Sequence, residues 1–153
     1  MARAELIENL NQALSLELAG VIQYSQHSYL VTGVLREVYK KFFRDQAGEA
    51  QDHAESLGDK LVALGGIPTV EPAIIRQSAN LEEMLKMDLL LERDAIAAYM
   101  AAWASCDEMD LPQKFWLEER ISEEQQHIEE LEKLTSERTA RVNSEKIILR
   151  EVS

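Results

Sequence analysis

The stretch SEEQQHIEE, residues 122–130, sets a carboxylic acid, Glu124, three residues before an imidazole, His127. On an α-helix three residues turn through about 300°, so the two side chains project about 60° apart and one turn from each other. A carboxylate and an imidazole so placed can share a metal, or the glutamate can bridge two metals while the histidine caps one. Iron and manganese both accept this ligand chemistry. An ExxH pair alone occurs by chance; its position makes it informative. Glu124 falls in the apolar stripe Leu117, Ile121, Glu124, Ile128 and Leu131. A carboxylate there is costly to bury without a positive partner.

The same interruption recurs. Glu17 stands in the stripe Leu6, Leu10, Ala13, Glu17, Gly20, Tyr24, His27 and Val31. Glu49 and His53 stand in Leu35, Val38, Phe42, Glu49, His53, Leu57, Leu61 and Leu64, and Glu92 in Leu85, Leu89, Glu92, Ile96, Tyr99, Trp103 and Cys106. No Lys or Arg occupies these stripes at matching depth. Six donors from four helices, Glu17, Glu49, His53, Glu92, Glu124 and His127, form the set that a carboxylate di-iron or di-manganese site needs. The competing reading is that they edge solvated faces of a glutamate-rich chain.

These donors need four helices at matched depth. The periodicity predicts helices over about 4–31 and 35–64, one opening at Asn80, and one opening at Asp110 and Pro112 and running to about Glu137. Thr32-Gly33 and Gly65-Gly66 act as stops, and Glu83 three residues after Asn80 suggests a capping box variant. Between the second and third helices lies GGIPTVEPAIIRQSA, long enough to cross a bundle. Short, long and short connections imply an all-α, antiparallel four-helix bundle with its crossover between helices 2 and 3. One domain, 1–153, is expected: the bundle at about 4–137, then a tail, 138–153, that reads equally as a short helix or an extended arm.

Composition narrows the function. The 153 residues are 46% apolar, enough for one sizeable core. Sixteen Lys and Arg against 28 Asp and Glu leave a net charge of −12, which argues against nucleic-acid binding and suits attraction of cations. No run reaches the apolar length of a membrane span, and MARAELIENL shows helical periodicity without the apolar core of a secretory signal. One cysteine, Cys106, permits no internal disulfide. A cytoplasmic protein is expected, and Cys106 reads as a small core hydrophobe.

The stretches LELAGVIQY, HAESLGDKLVALGG, MLKMDLLLE and EEQQHIEELE resemble the bacterioferritin branch of the ferritin-like superfamily, over roughly residues 5–135. The resemblance implies a di-iron ferroxidase centre. Glu17 and Glu92 would be its terminal carboxylates, Glu124 a bridging carboxylate, His53 and His127 its imidazoles, and Tyr24 the tyrosine beside it. The sequence departs from that pattern twice. The bridging glutamate of the second helix is replaced by Ala50, and Glu49, about 40° from His53 on the wheel, reaches the site only if the helix is overwound or bulged. The position of the family's haem-binding methionine is Gln51, so haem is not expected.

The leading expectation is an iron-binding protein that oxidises Fe(II) with O₂ or H₂O₂ for storage or detoxification. It would work as a homo-oligomer, from a dimer to a 24-subunit shell. The alternative is a structural or storage subunit without ferroxidase activity, supported by Ala50. A rubrerythrin-like peroxidase would carry a CxxC module, and a DNA-protecting ferritin a basic tail; neither is present. Trp103, Trp116, Phe42 and Phe43 read as core or subunit-contact aromatics, Met84, Met87 and Met100 as core filler, and His27 as structural. Asp52 and Glu123 read as solvated neighbours of the ligands.

Overall fold

The structure, a computed structural model, describes residues 2–135. The expected tail, 138–153, and the last residues of the expected fourth helix lie outside that range. Four helices make up the fold: α1 Ala2–Leu30, α2 Arg36–Ala63, α3 Leu81–Ala104 and α4 Leu111–Leu134. Among the described residues no helix is long and apolar enough to cross a membrane.

Side-chain pairs fix the directions. Asn9 reaches Ala101 and Ser105, while Gln23 reaches Asp88, so α1 and α3 run antiparallel. Glu49 pairs with His127 and His53 with Glu123, so α2 and α4 do too. The closest backbone packing is α1 on α2, α3 on α4 and α1 on α3. The α2–α4 seam is wider, and side chains span it.

Because α2 and α3 point the same way, the chain between them must travel the length of the bundle. This strap is stitched along α1. Asn11 Nδ2 donates to the Ile67 carbonyl at 3.0 Å, and its Oδ1 accepts from the Thr69 amide at 2.8 Å. The Ala73 amide donates to the Ser15 carbonyl at 2.8 Å, and the Arg76 amide to Gln23 Oε1 at 3.0 Å.

The helix ends follow local chemistry. Gly65, at φ 86°, closes α2: its amide bonds the Val62 carbonyl and the Gly66 amide bonds Leu61, the two bonds of a Schellman motif. After α1 the chain turns at Gly33, φ 94°, and the Arg36 guanidinium returns to donate to the Val31 carbonyl at 2.6 Å. Asn80 caps α3, its Oδ1 accepting from the Glu83 amide at 3.0 Å. Glu83 does not return to the Asn80 amide directly. Ser78 Oγ donates to Glu83 at 2.6 Å and accepts from the Asn80 amide, completing the box through a hydroxyl.

The stripe expected on α1 is buried throughout, as are Leu117, Glu124, Ile128 and Leu131 of α4. On α2 the expectation needs correction. Leu35, Val38 and Glu49 are exposed, and the core line is Phe43, Ala50, His53, Ala54, Leu57, Leu61 and Leu64. Heptad steps back from Leu64 through Leu57 reach Ala50 and Phe43, one position on from the residues expected. Met84 fills the core, but Met100 is 54% exposed and Trp103 lies at the surface.

Asn80→Ala removes the α3 cap and is expected to cost about 1 kcal/mol, lowering the thermal midpoint by about 3 °C. A melt followed by circular dichroism checks this; an unchanged midpoint would assign the start of α3 to packing alone.

Candidate metal centre

Mid-bundle, the apolar core gives way to acids and imidazoles. Glu17, Glu92 and Glu124 are all buried, Glu124 to 1% exposure. Donor atoms of Glu17, His53 and Glu124 lie within 4.8 Å of one another, and so do those of Glu92, Glu124 and His127. The two groups share Glu124. Five of the six expected donors are therefore brought together as two half-sites with one common carboxylate.

The imidazoles have a consistent orientation. His53 Nδ1 lies 3.4 Å from Glu17 Oε1 and 3.3 Å from Glu124 Oε1. His127 Nδ1 lies 3.8 Å from both Glu92 Oε2 and Glu124 Oε2. The rings stack, with centroids 6.2 Å apart. Among the described residues neither Glu124 oxygen has a hydrogen-bond partner, and neither does His127 Nδ1. Buried polar atoms without partners are rare because desolvating them is costly. Orphaned acceptors between two inward nitrogens match the donor set of a divalent metal, so these residues fit one.

The sixth expected donor is placed differently. Glu49 is half-exposed and meets His127 Nε2, the ring's outer nitrogen, at 2.5 Å. Its helix is α-helical throughout, without the overwinding or bulge expected to bring it inward. Ala50 takes the inward place with only a methyl group. It packs on Gly20, where an added Cβ would stand 3.3 Å from the alanine's own. Gln51 is exposed and donates to Glu55 at 3.2 Å.

Two phenols hold the terminal carboxylates. Tyr24 Oη donates to Glu92 Oε1 at 2.6 Å, and Tyr99 Oη to Glu17 Oε1 at 2.9 Å. Burial, then the nearby carboxylates, keeps both phenols well above their ordinary range and so protonated. Tyr24 is the tyrosine expected beside the centre; Tyr99, expected only as part of the α3 stripe, joins it. The signal was present: each tyrosine follows a buried glutamate by seven residues, Glu17 to Tyr24 and Glu92 to Tyr99. Glu123, read as a solvated neighbour, bonds His53 Nε2 at 2.8 Å. A further buried network was also missed as such. Gln23 Nε2 donates to Asp88 Oδ1 at 2.9 Å, and His27 Nδ1 lies 3.0 Å from the same atom. It ties the strap, through Gln23, to α3 one turn before Glu92, and places His27 beside Asp88.

A cleft of about 410 Å³ in the α2–α4 seam opens onto both histidines, lined also by Glu49, Asp52, Arg120, Glu123 and Gln126. A larger groove, about 860 Å³, lies between strap, α1 and α3 and contains none of the donors.

Four antiparallel helices with a crossover strap and a central carboxylate–imidazole pocket define the ferritin-like class of bundle. The ferritin family, described as a ferritin-like domain, matches residues 7–140. The bacterioferritin of Brucella melitensis is 37% identical over 134 residues, covering 84% of this chain and 81% of the relative. The chain belongs to the ferritin family, as a bacterioferritin-like member. A ferritin-like, diiron-carboxylate protein of Bacillus anthracis superposes with a TM-score of 0.84 at 32% identity, covering 88% of this chain and 97% of its own. The Rhodobacter capsulatus bacterioferritin, described with a metal-free dinuclear site and haem iron, gives 0.78 at 31% identity, covering 87% and 84%.

Protons carry the pocket's charge balance. Burial first, then Glu124, raises Glu92 from 4.5 to about 8. Burial pushes the imidazoliums down, but the carboxylates beside them outweigh it: Glu124 and Glu17 lift His53 from 6.5 to about 10, and Glu124 and Glu92 lift His127 to about 11. All three folded values exceed the ordinary ones, so the folded state holds protons that the unfolded state releases. Stability of the metal-free chain should fall as pH rises, between 4.5 and about 8 for Glu92, and from 6.5 to about 10 and 11 for the histidines. The expected results are a lower thermal midpoint at pH 9 than at pH 6, and release of about three protons per chain on saturation with Zn²⁺ at pH 7. Calorimetry in buffers of different ionisation enthalpy measures the release; none would contradict ligation by these groups.

Proposed function

We propose that this chain is an iron-handling protein that binds Fe(II) as substrate at the Glu124-centred pocket and oxidises it for storage or detoxification. The observation that carries the reading is Glu124: buried, shared by two half-sites, with both oxygens unsatisfied. The bacterioferritin relatives and the diiron-carboxylate neighbour support iron as the metal. Iron bound there would supply one electron each to O₂ or H₂O₂.

The chain's own residues perform the rest. Glu17 with His53, and Glu92 with His127, offer one carboxylate and one imidazole to each half-site, and Glu124 lies between them. Tyr24 and Tyr99 hold the terminal carboxylates by hydrogen bonds, Tyr24 on Glu92 and Tyr99 on Glu17, and so fix the direction of their remaining oxygens. The acidic lining of the seam raises the local cation concentration. A homo-oligomer is part of the proposal, on the likeness to the bacterioferritin relatives.

Ala50 favours a second reading, a subunit with a degenerate site. The two differ in a direct measurement. Anaerobic titration is expected to bind two Fe(II) per chain, with rapid oxidation once O₂ or peroxide is added. Glu124→Ala should abolish both, and Ala50→Glu should tighten binding and speed oxidation. One iron or none in the parent chain, with slow oxidation restored by Ala50→Glu, would establish the degenerate subunit instead.

A further inference from the structure

We infer that Glu49 and Glu123 are positioning residues for the two imidazoles, each acting across the α2–α4 seam on the histidine of the opposite helix. The inference rests on the metal-centre reading above and assigns Glu49 a role other than ligand.

The geometry is crossed. Glu123 of α4 meets His53 Nε2 of α2 at 2.8 Å, and Glu49 of α2 meets His127 Nε2 of α4 at 2.5 Å. In both rings Nε2 faces the cleft and Nδ1 faces the buried carboxylates. An imidazole that gives one N–H to a carboxylate is fixed in tautomer and ring plane, and its other nitrogen becomes a stronger donor. Glu123 and Glu49 occupy that outer place for both rings.

The sequence register agrees. Glu49-Ala50 precedes His53 by four and three residues, and Glu123-Glu124 precedes His127 by the same steps. Superposing the registers makes Glu49 the counterpart of Glu123, and Ala50 the counterpart of Glu124. Glu49 therefore does not replace the carboxylate that Ala50 lacks; it repeats the outer one. The two also differ in support. Arg120 Nη1 lies 3.7 Å from Glu123, and its guanidinium rests over Trp116 at 5.6 Å, while Glu49 is 51% exposed. Glu123 is thus the more firmly held.

Cobalt(II), titrated into the metal-free full-length chain and followed by its visible absorption, tests the assignment without iron turnover. Glu123→Ala and Glu49→Ala are expected to weaken binding about 10- to 100-fold while leaving the number of ions unchanged, with the larger loss at Glu123. Glu123→Gln and Glu49→Gln, which keep an acceptor and the side-chain shape, should lose less. The loss should require the facing ring: Glu123→Ala should add nothing to His53→Ala, and Glu49→Ala nothing to His127→Ala, whereas Glu123→Ala with His127→Ala should be worse than either alone. Parental affinity in both alanine variants would overturn the assignment. So would a full loss from Glu49→Ala in a chain already lacking His127. A lower cobalt stoichiometry in Glu49→Ala would make that residue a ligand. No cobalt binding by the parent chain, or parental binding in His53→Ala and His127→Ala, would instead overturn the metal-centre reading beneath it.

Discussion

The rest of the structure depends on one unfavourable placement: a glutamate with 1% exposure whose two oxygens find no hydrogen bond. Left alone, such a group is among the costliest in a protein interior. Two imidazoles approach it from opposite sides, and two further buried glutamates complete the ring. Without metal, protons offset the charge: both histidines remain imidazolium far above neutrality, and Glu92 keeps its proton to about pH 8. A divalent cation would exchange with those protons on the same atoms. Metal and protons would thus compete for one donor set.

The bundle is organised around this pocket. The α1–α3 pair is closed, and its two phenols lock the terminal carboxylates to the opposite helix, Tyr24 to Glu92 and Tyr99 to Glu17. The α2–α4 pair is the wider seam, spanned by carboxylate–imidazole contacts and open as a cleft. One side thus holds geometry while the other opens to solvent. The strap reinforces the closed side by running along α1 and bonding Gln23, which also holds Asp88 one turn before Glu92. An approximate two-fold relation links the halves: glutamate and tyrosine seven apart on α1 and α3, glutamate and histidine four apart on α2 and α4. Ala50 is where that symmetry breaks.

The helices, the crossover and five buried donors were legible in the sequence because each depends on local period. A carboxylate inside a leucine stripe is visible without coordinates. The face of α2 was harder. Leu35, Val38, Phe42 and Phe43 put apolar residues on more than one side of its first turns, so spacing alone favoured Phe42 and Glu49 over Phe43 and Ala50. Alanine contributes little to a hydrophobic pattern, and the acid beside it drew the register one step out. Glu49 was correctly placed near the site and incorrectly aimed, because the direction of a side chain across a seam is set by the partner helix. Tyr99 was seen as core; its bond to Glu17 joins residues 82 apart, a relation that periodicity within a helix does not encode.

In the proposed centre Glu124 would be shared by two metals, with the Nδ1 atoms of His53 and His127 among their other ligands. Anomalous diffraction from crystals loaded with Co²⁺, collected on both sides of the cobalt edge, tests it most directly. Two peaks per chain are expected, one beside each Nδ1, with Glu124 between them and Glu49 and Glu123 still on the outer nitrogens. Peaks in the outer cleft on Glu49 and Asp52, with the Glu124 oxygens left without metal, would contradict it.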